Sequence, residues 1–328
     1  MKHTRTFTFA IAVAGLALVA PVATAQTTEL RGAVYTDNAN SPFRIPFHQF
    51  AEFVNVQGDG SVEIVDIVGP EAIPSNQQAR ALADGLVDFV AAPPSYFENL
   101  VPGLGGLSAP RITTQEMRAN GTFDAVNEFL APGANAVMVG LYAGDVPFHI
   151  FSNEAVRSME EFDGLRMRAT NTVMAFFTAL GAQPMQISRG EIYTALDRGV
   201  ANAYSNINSE LFASSWIEVV DYRIGPGFYT PNIAIFMNLD SYNALTDRQR
   251  AVIEAAGMYV EGGPSWAMQQ AEIEAAERAV AEHGFEIITF SEEDTAAFLD
   301  MAYESTWSQI DERAPEFAAR MRPLLLNE

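Results

Sequence analysis

Short apolar runs alternate along most of the chain with segments whose apolar residues recur every three or four positions, the pattern of strands alternating with helices. The clearest case is Gly164 to Asn206. A strand ends at Arg168, and a polar Thr170-Asn171-Thr172 cluster opens a helix with Val173, Phe176, Phe177 and Leu180 on one face, closed by Gly181. Met185 to Ile187 predicts a second strand, and Ser188-Arg189-Gly190-Glu191 has capping-box spacing. Ile192, Ala195 and Leu196 make the next apolar face, Gly199 ends that helix, and Val200 to Tyr204 predicts a third strand. A β-α-β-α-β order gathers strand ends and helix starts at one edge, where small ligands bind in open α/β sheets. Arg168, Arg189 and Asn206 fall on that edge.

The rest of the chain continues the alternation. Glu29–Thr36, Val62–Val68, Leu86–Ala91 and Ala136–Leu141 read as strands, with helices starting at Ser41-Pro42, near Ser75 and at the Thr113–Glu116 capping box. Tyr35, Thr36, Ser95 and Tyr96 lie just past strand ends and are candidates for a pocket wall. Val146 to Phe151 predicts a strand that crosses into a second domain. After Asn206 the pattern predicts a helix through Leu211 and Trp216 to Val220, a turn at Gly225-Pro226-Gly227, and a strand, Ile233 to Met237, back in the first domain. Thr246 to Gln249 caps a helical pattern that runs to His283 with a break at Gly262-Gly263-Pro264. A strand, Phe285 to Phe290, and two amphipathic helices finish the chain. The fold class is α/β, two lobes with mixed sheets and multiple crossovers. The expected division is 26–147 plus 232–271 for lobe I and 148–231 plus 272–328 for lobe II. Two lobes joined by several crossings form a hinge suited to capturing a ligand by closure.

Composition narrows the function. The 328 residues, 48% apolar, suffice for two cored domains. Lys and Arg number 19 against 41 Asp and Glu, a net charge of −22, which argues against nucleic acid or an anionic membrane as partner. An anionic ligand therefore needs locally placed positive charge, which singles out Arg168 and Arg189. Cysteine is absent, so disulfides, thiolate metal sites and a cysteine nucleophile are excluded. His48, His149 and His283 are far apart and show no metal-ligand spacing. Residues 1–25 read as a secretory signal: Lys2 and Arg5, then an apolar run from Phe7 to Ala20, then Ala23-Thr24-Ala25 with cleavage expected before Gln26. That run, roughly 14 residues, is too short to span a bilayer. The mature chain is expected to be exported and not membrane-inserted.

Candidate chemistry is binding chemistry. A guanidinium at the strand end, as at Arg168, offers a planar donor fork that fits a carboxylate. Arg189 sits in the first turn of its helix, opposing the helix dipole by about 0.3–1 kcal/mol, and a bound anion would offset that. Surface ion pairing is the plainer alternative for both. No G-x-S-x-G, H-E-x-x-H or G-x-x-x-x-G-K-[ST] occurs. Glu160-Glu161 and Glu292-Glu293 fall at helix starts or turns, where solvated N-terminal charge accounts for them. An exported α/β enzyme, such as a hydrolase using Asp/Glu, is the rival reading, and an exported adhesion module the third.

The ordered set G-L-R-M-R, A-L-G-A-Q-P and G-E-I-Y-T-A-L-D-R-G-V ending at Asn206, with N-Q-Q-A-R-A-L-A-D-G-L-V-D-F-V upstream, resembles the DctP-type extracytoplasmic solute-binding proteins of TRAP transporters. The resemblance covers nearly all of the mature chain. It implies two α/β lobes joined by crossing segments and a long helix, here interrupted at Gly262-Gly263-Pro264 and expected to kink. It also implies a periplasmic receptor rather than an enzyme, a monomer without cofactor that captures a small organic acid between its lobes and delivers it to membrane permease subunits. Arg168 matches the family's carboxylate-binding arginine, Asn206 a supporting asparagine and Asn171 a further polar contact. Where many members carry a second arginine this chain has Phe148, with His149 beside it, and Arg189 stands where a common member has an aromatic residue. Arg189 is accordingly expected to meet a second anionic or polar group of the ligand. Phe148, Tyr204, Phe228 and Tyr96 are expected as cleft wall, and Glu210 keeps a bridging metal open.

Overall fold

The computed structural model describes residues 27–36 and 38–327. The signal segment and its cleavage site at Ala25 lie outside the described residues. Two sheets form, each covered by helices. The first contains β1 (Thr28–Val34), β2 (Val62–Val68), β3 (Phe89–Ala92), β4 (Ala136–Tyr142) and β10 (Ile233–Asn238), in the order β2-β1-β3-β10-β4. The second contains β5 (Phe148–Ser152), β6 (Arg166–Ala169), β7 (Gln183–Gln186), β8 (Ala203–Asn206), β9 (Tyr222–Phe228) and β11 (Glu286–Ile288), in the order β11-β9-β5-β8-β6-β7. In the first sheet β10 runs antiparallel to both β3 and β4, and in the second β5 runs antiparallel to both β8 and β9, so both sheets are mixed.

Helices α1 (Ile45–Gln57), α2 (Ser75–Ala83), α3 (Thr114–Ala119) and α4 (Thr122–Ala134) belong to the first lobe. Helices α5 (Asn171–Ala179), α6 (Ile192–Asp197) and α7 (Glu210–Ala213) belong to the second, and α8 (Leu239–Ala244) follows β10. The first core joins Phe47, Phe50, Phe89, Leu130, Phe236 and Ile253. The second sheet carries a core on each face: Phe162, Phe176, Phe177 and Phe298 in one, Phe151, Leu196, Tyr204 and Trp216 in the other. Between these two cores β8 is buried along its whole length and β5 at all but its first residue.

The α9 helix (Asp247–His283) is the interlobe element. Gly257 lets it press on β4, since a Cβ there would lie 1.9 Å from the Val139 carbonyl oxygen. Further along, Ala279 packs in the second lobe. The break expected at Gly262-Gly263-Pro264 does not occur, and the helix is continuous over 37 residues. Pro264 has no N–H for the Val260 carbonyl, and the Ser265 hydroxyl donates to that oxygen instead at 2.9 Å. Glycine costs helix propensity, but the capping box at Thr246 and packing along both lobes outweigh it.

Three other expectations differ. Gly225-Pro226-Gly227 is not a turn: β9 runs through it as a bulge, with Ile224 opposite Ile150 and Phe228 opposite Phe148, so three residues face His149 alone. The helix expected from Leu211 to Val220 stops at Ala213, because Ser215 adopts a left-handed φ of 55° before a single 3₁₀ turn. Finally, α10 (Glu292–Arg313) and α11 (Pro315–Leu326), both expected with residues 272–328 in lobe II, divide. Phe298 and Ala302 pack in the second lobe, but Trp307, Phe317, Met321 and Leu325 join the first core, where Phe317 lies 5.1 Å from Phe129.

Candidate functional site

The β6-α5-β7-α6-β8 order predicted from the sequence forms as a parallel set, with β6 between β8 and β7. Its strand ends face Tyr35 after β1 and the Ser95-Tyr96 turn after β3. Two adjoining chambers lie between. The inner one, of about 80 Å³, is walled by Tyr35, Tyr96, Phe148, Arg168, Asn206 and Ile233, among others. The outer one, of about 550 Å³, opens past Asn171, Gln186 and Ser188 and shares Tyr35, Ser95, Tyr96, Arg168, Thr170 and Arg189 with the inner. A larger groove of about 760 Å³ runs beside α9 past Pro147, His149, Arg223 and Ile273, but takes none of the strand-end residues of β1, β3 or β6.

Arg168 is half-buried on β6 and donates through Nε to the Ile187 carbonyl at 2.9 Å, which fixes the plane of its guanidinium. No carboxylate among the described residues pairs with it. Burial, and less strongly the neighbouring Arg189, pull its pKa down from 12.5 to about 10, although Tyr96 acts in the opposite sense. A buried cation without a counter-ion is expensive unless a ligand supplies one.

Arg189 is different. It opens a 3₁₀ turn, and the box expected at Ser188 does not cap that turn: the Ser188 hydroxyl donates to the Glu191 carboxylate at 2.6 Å. The anion that offsets its position is part of the protein. Arg189 Nη2 donates to Glu210 Oε2 at 2.5 Å and to Ser214 Oγ at 3.3 Å, and the guanidinium lies 5.1 Å over the Trp216 ring. Burial alone would lower the Arg189 pKa, but the charge and hydrogen bond of Glu210, with Tyr35 and Tyr96, leave it raised above its ordinary value. Glu210 is fully buried, and its Oε1 accepts from Ser41 Oγ of the first lobe at 2.7 Å. It is thus committed to a cation and two hydroxyls. Among the described residues no group of three or more His, Asp or Glu is placed to hold a metal ion.

Asn206, buried at the end of β8, accepts the Ile207 N–H on Oδ1 at 2.9 Å, which orients its amide nitrogen as the donor available to the inner chamber. Tyr96 stands edge-on to Tyr35 at 5.7 Å, and both line the inner chamber, as does Phe148. Asn171 is exposed at the rim, where its Oδ1 accepts from Gln186 Nε2 at 2.8 Å, and it does not reach the inner chamber. Two expected wall residues are core. Tyr204 is fully buried against Phe151 and Trp216, and Phe228 packs on Phe176, Tyr229 and Phe298. Sequence reasoning missed Thr172, Ser108, Ser205 and Pro231, which also line the chamber. Thr172 lay in the polar cluster that opens α5, and Ser205 beside Asn206. Nothing in the spacing around Ser108 or Pro231 marked them.

Residues 33–312 match the profile of the family described as bacterial extracellular solute-binding protein, family 7, DctP. The chain is 23% identical over 318 residues to the ectoine/5-hydroxyectoine-binding periplasmic protein UehA of Ruegeria pomeroyi, covering 93% of this chain and 91% of that one. It is 23% identical to the C4-dicarboxylate-binding protein DctB of Bacillus subtilis, covering 80% and 78%. Among solved structures it is similar to a TRAP periplasmic solute-binding protein of Desulfovibrio salexigens with bound orotic acid, at TM-score 0.81, 18% identity and coverage of 91% and 97%. These relatives are transport solute-binding proteins and not enzymes. With a family match over most of its length and the two-lobed fold to accompany it, the chain belongs to the DctP family of bacterial extracellular solute-binding proteins, family 7.

Proposed function

We propose that this protein captures a small organic acid between its lobes and delivers it to TRAP membrane permease subunits. The observation that carries the reading is Arg168: a half-buried guanidinium facing an enclosed chamber, held by one backbone bond and paired with no carboxylate among the described residues. In a chain of net charge −22 such a cation is the place for an anion. The ligand carboxylate docks on the free nitrogens of Arg168 in the parallel two-bond geometry that guanidinium favours. The Asn206 amide donates from one side, and Thr170 and Thr172 stand at the N-terminus of α5, where helix N–H groups and dipole favour negative charge. Tyr35, Tyr96, Phe148 and Ile233 supply the apolar wall, an arrangement typical of small-ligand sites. The inner chamber holds the acid head, and a larger body extends into the outer one. Asn171 meets the ligand only at the rim.

The names of relatives agree with this class: one is described with bound orotic acid, others with galacturonate, L-galactonate and pyroglutamic acid. The reading includes export to the periplasm with cleavage after Ala25, and a monomer. Among the described residues no helix is long and apolar enough to cross a membrane. A thermal-shift screen of residues 26–328 against carboxylic acids tests it. A ligand at 100 times its Kd adds about 2.7 kcal/mol of stability. A shift for one acid class, lost in Arg168→Met, is expected; shifts only for non-acidic solutes would overturn the reading.

A further inference from the structure

We infer that Glu210 sets the charge of the ligand: by neutralising Arg189 it leaves the chamber one uncompensated cation, so the protein selects monocarboxylates whose remaining polar groups are neutral. The inference rests on the carboxylate reading of the site and adds the charge class. Two arginines line the inner chamber, Arg168 and Arg189, and no Asp, Glu, Lys or His lines either chamber among the described residues. Taken alone, that count suits a dianion. Behind the wall, however, Glu210 is fully buried and joined to Arg189 at 2.5 Å. Ser214 donates to the same Oε2 at 2.8 Å, and the second oxygen, Oε1, accepts from Ser41 at 2.7 Å. The carboxylate and the guanidinium form a buried ion pair, so together they contribute no net charge.

The chemistry of the second subsite follows. Arg189 retains donors beyond the nitrogen that Glu210 holds, and these serve a hydroxyl, oxo or amide oxygen of the ligand. A second carboxylate there has no free positive charge to meet. It also faces Glu210 across the guanidinium in a site that water cannot easily screen, where like charges repel strongly. Glu210 therefore acts through Arg189, as a positioning residue that never touches the ligand. The Ser41 bond ties the same carboxylate to the first lobe, so the charge pattern is complete when the lobes are together.

Calorimetric titration with matched pairs that differ by one charge tests this: succinamate against succinate, galactonate against galactarate, and 3-carbamoylbenzoate against isophthalate. In wild type the tightest ligand is the singly charged member of its pair, by roughly tenfold or more, a preference of about 1.4 kcal/mol. In Glu210→Gln the preference falls at least tenfold or reverses toward the dianion, because Arg189 is then uncompensated. A dianion as tightest wild-type ligand overturns the inference while leaving the carboxylate receptor intact. A folded Glu210→Gln with an unchanged ratio also overturns it, and if that variant does not fold, the wild-type ratios alone decide. Absence of binding by every acid, with Arg168→Met melting like wild type, overturns the receptor reading itself.

Discussion

Replacing Arg168 by methionine separates a binding arginine from a structural one. Methionine keeps much of the stem and removes the charge. Burial first, and then Arg189, hold the Arg168 pKa down to about 10 against the raising effect of Tyr96, a net bias against the cation of roughly 3 kcal/mol in the empty protein. Against this, the variant loses the charged hydrogen bond from Nε to Ile187, worth about 1.5–3 kcal/mol. The two nearly cancel, so the ligand-free variant should unfold in urea within about 1–2 kcal/mol of wild type. A buried arginine with a protein carboxylate as partner would instead cost about 3–5 kcal/mol when removed. Binding behaves differently. Losing one side of a buried, hydrogen-bonded charge pair costs about 2–5 kcal/mol, a loss of roughly thirtyfold to several thousandfold in Kd. Urea denaturation of the stripped protein and calorimetry with the acid found by screening measure both quantities. Destabilisation beyond about 3 kcal/mol, or binding retained within tenfold, would refute the assignment.

Other outcomes follow from the same geometry. Tyr204→Phe removes a buried hydroxyl that has no hydrogen-bond partner, so melting should show stability unchanged or raised by about 1–2 kcal/mol, with acid binding unaffected. Phe228→Ala opens a cavity among Phe176, Tyr229 and Phe298 and should cost about 3–5 kcal/mol in urea, unlike a residue at a cleft wall. Gly262→Ala with Gly263→Ala adds two methyls that meet nothing within 4 Å in a helix interior, and should raise stability by about 1–2 kcal/mol in all. His149 is held neutral to about pH 3, first by burial and then by Arg223. The unfolded chain therefore binds its proton first, at about pH 6.5, and stability falls as pH drops from there toward 3, by up to about 1.4 kcal/mol per pH unit. His149→Gln should flatten that part of the stability–pH curve.

Much of this was legible in the sequence because local patterns and global fold agree. The apolar faces of α5 and α6 predicted a β-α-β-α-β unit, and a β-α-β-α-β unit places Arg168 and Asn206 at one edge whatever surrounds them. Less was legible where the deciding partner is remote. Glu210 is 21 residues from Arg189, and no spacing links them. Tyr204 and Phe228 lie near strand ends, where a side chain can face cleft or core; only Trp216 and Phe298, brought by other elements, decide that they face inward. Gly225-Pro226-Gly227 has turn chemistry, yet the strands on either side absorb it as a bulge. Gly262-Gly263-Pro264 carries break chemistry, but tertiary packing and one serine hydroxyl sustain the helix.

The most direct test of the central claim is a crystal structure of the protein with the acid that the screen selects. The account predicts the ligand carboxylate within hydrogen-bond distance of the Arg168 guanidinium in the inner chamber, with the Asn206 amide beside it and a neutral oxygen facing Arg189. A ligand carboxylate bound to Arg189 with Glu210 displaced, or an acid seated in the groove beside α9, would contradict it.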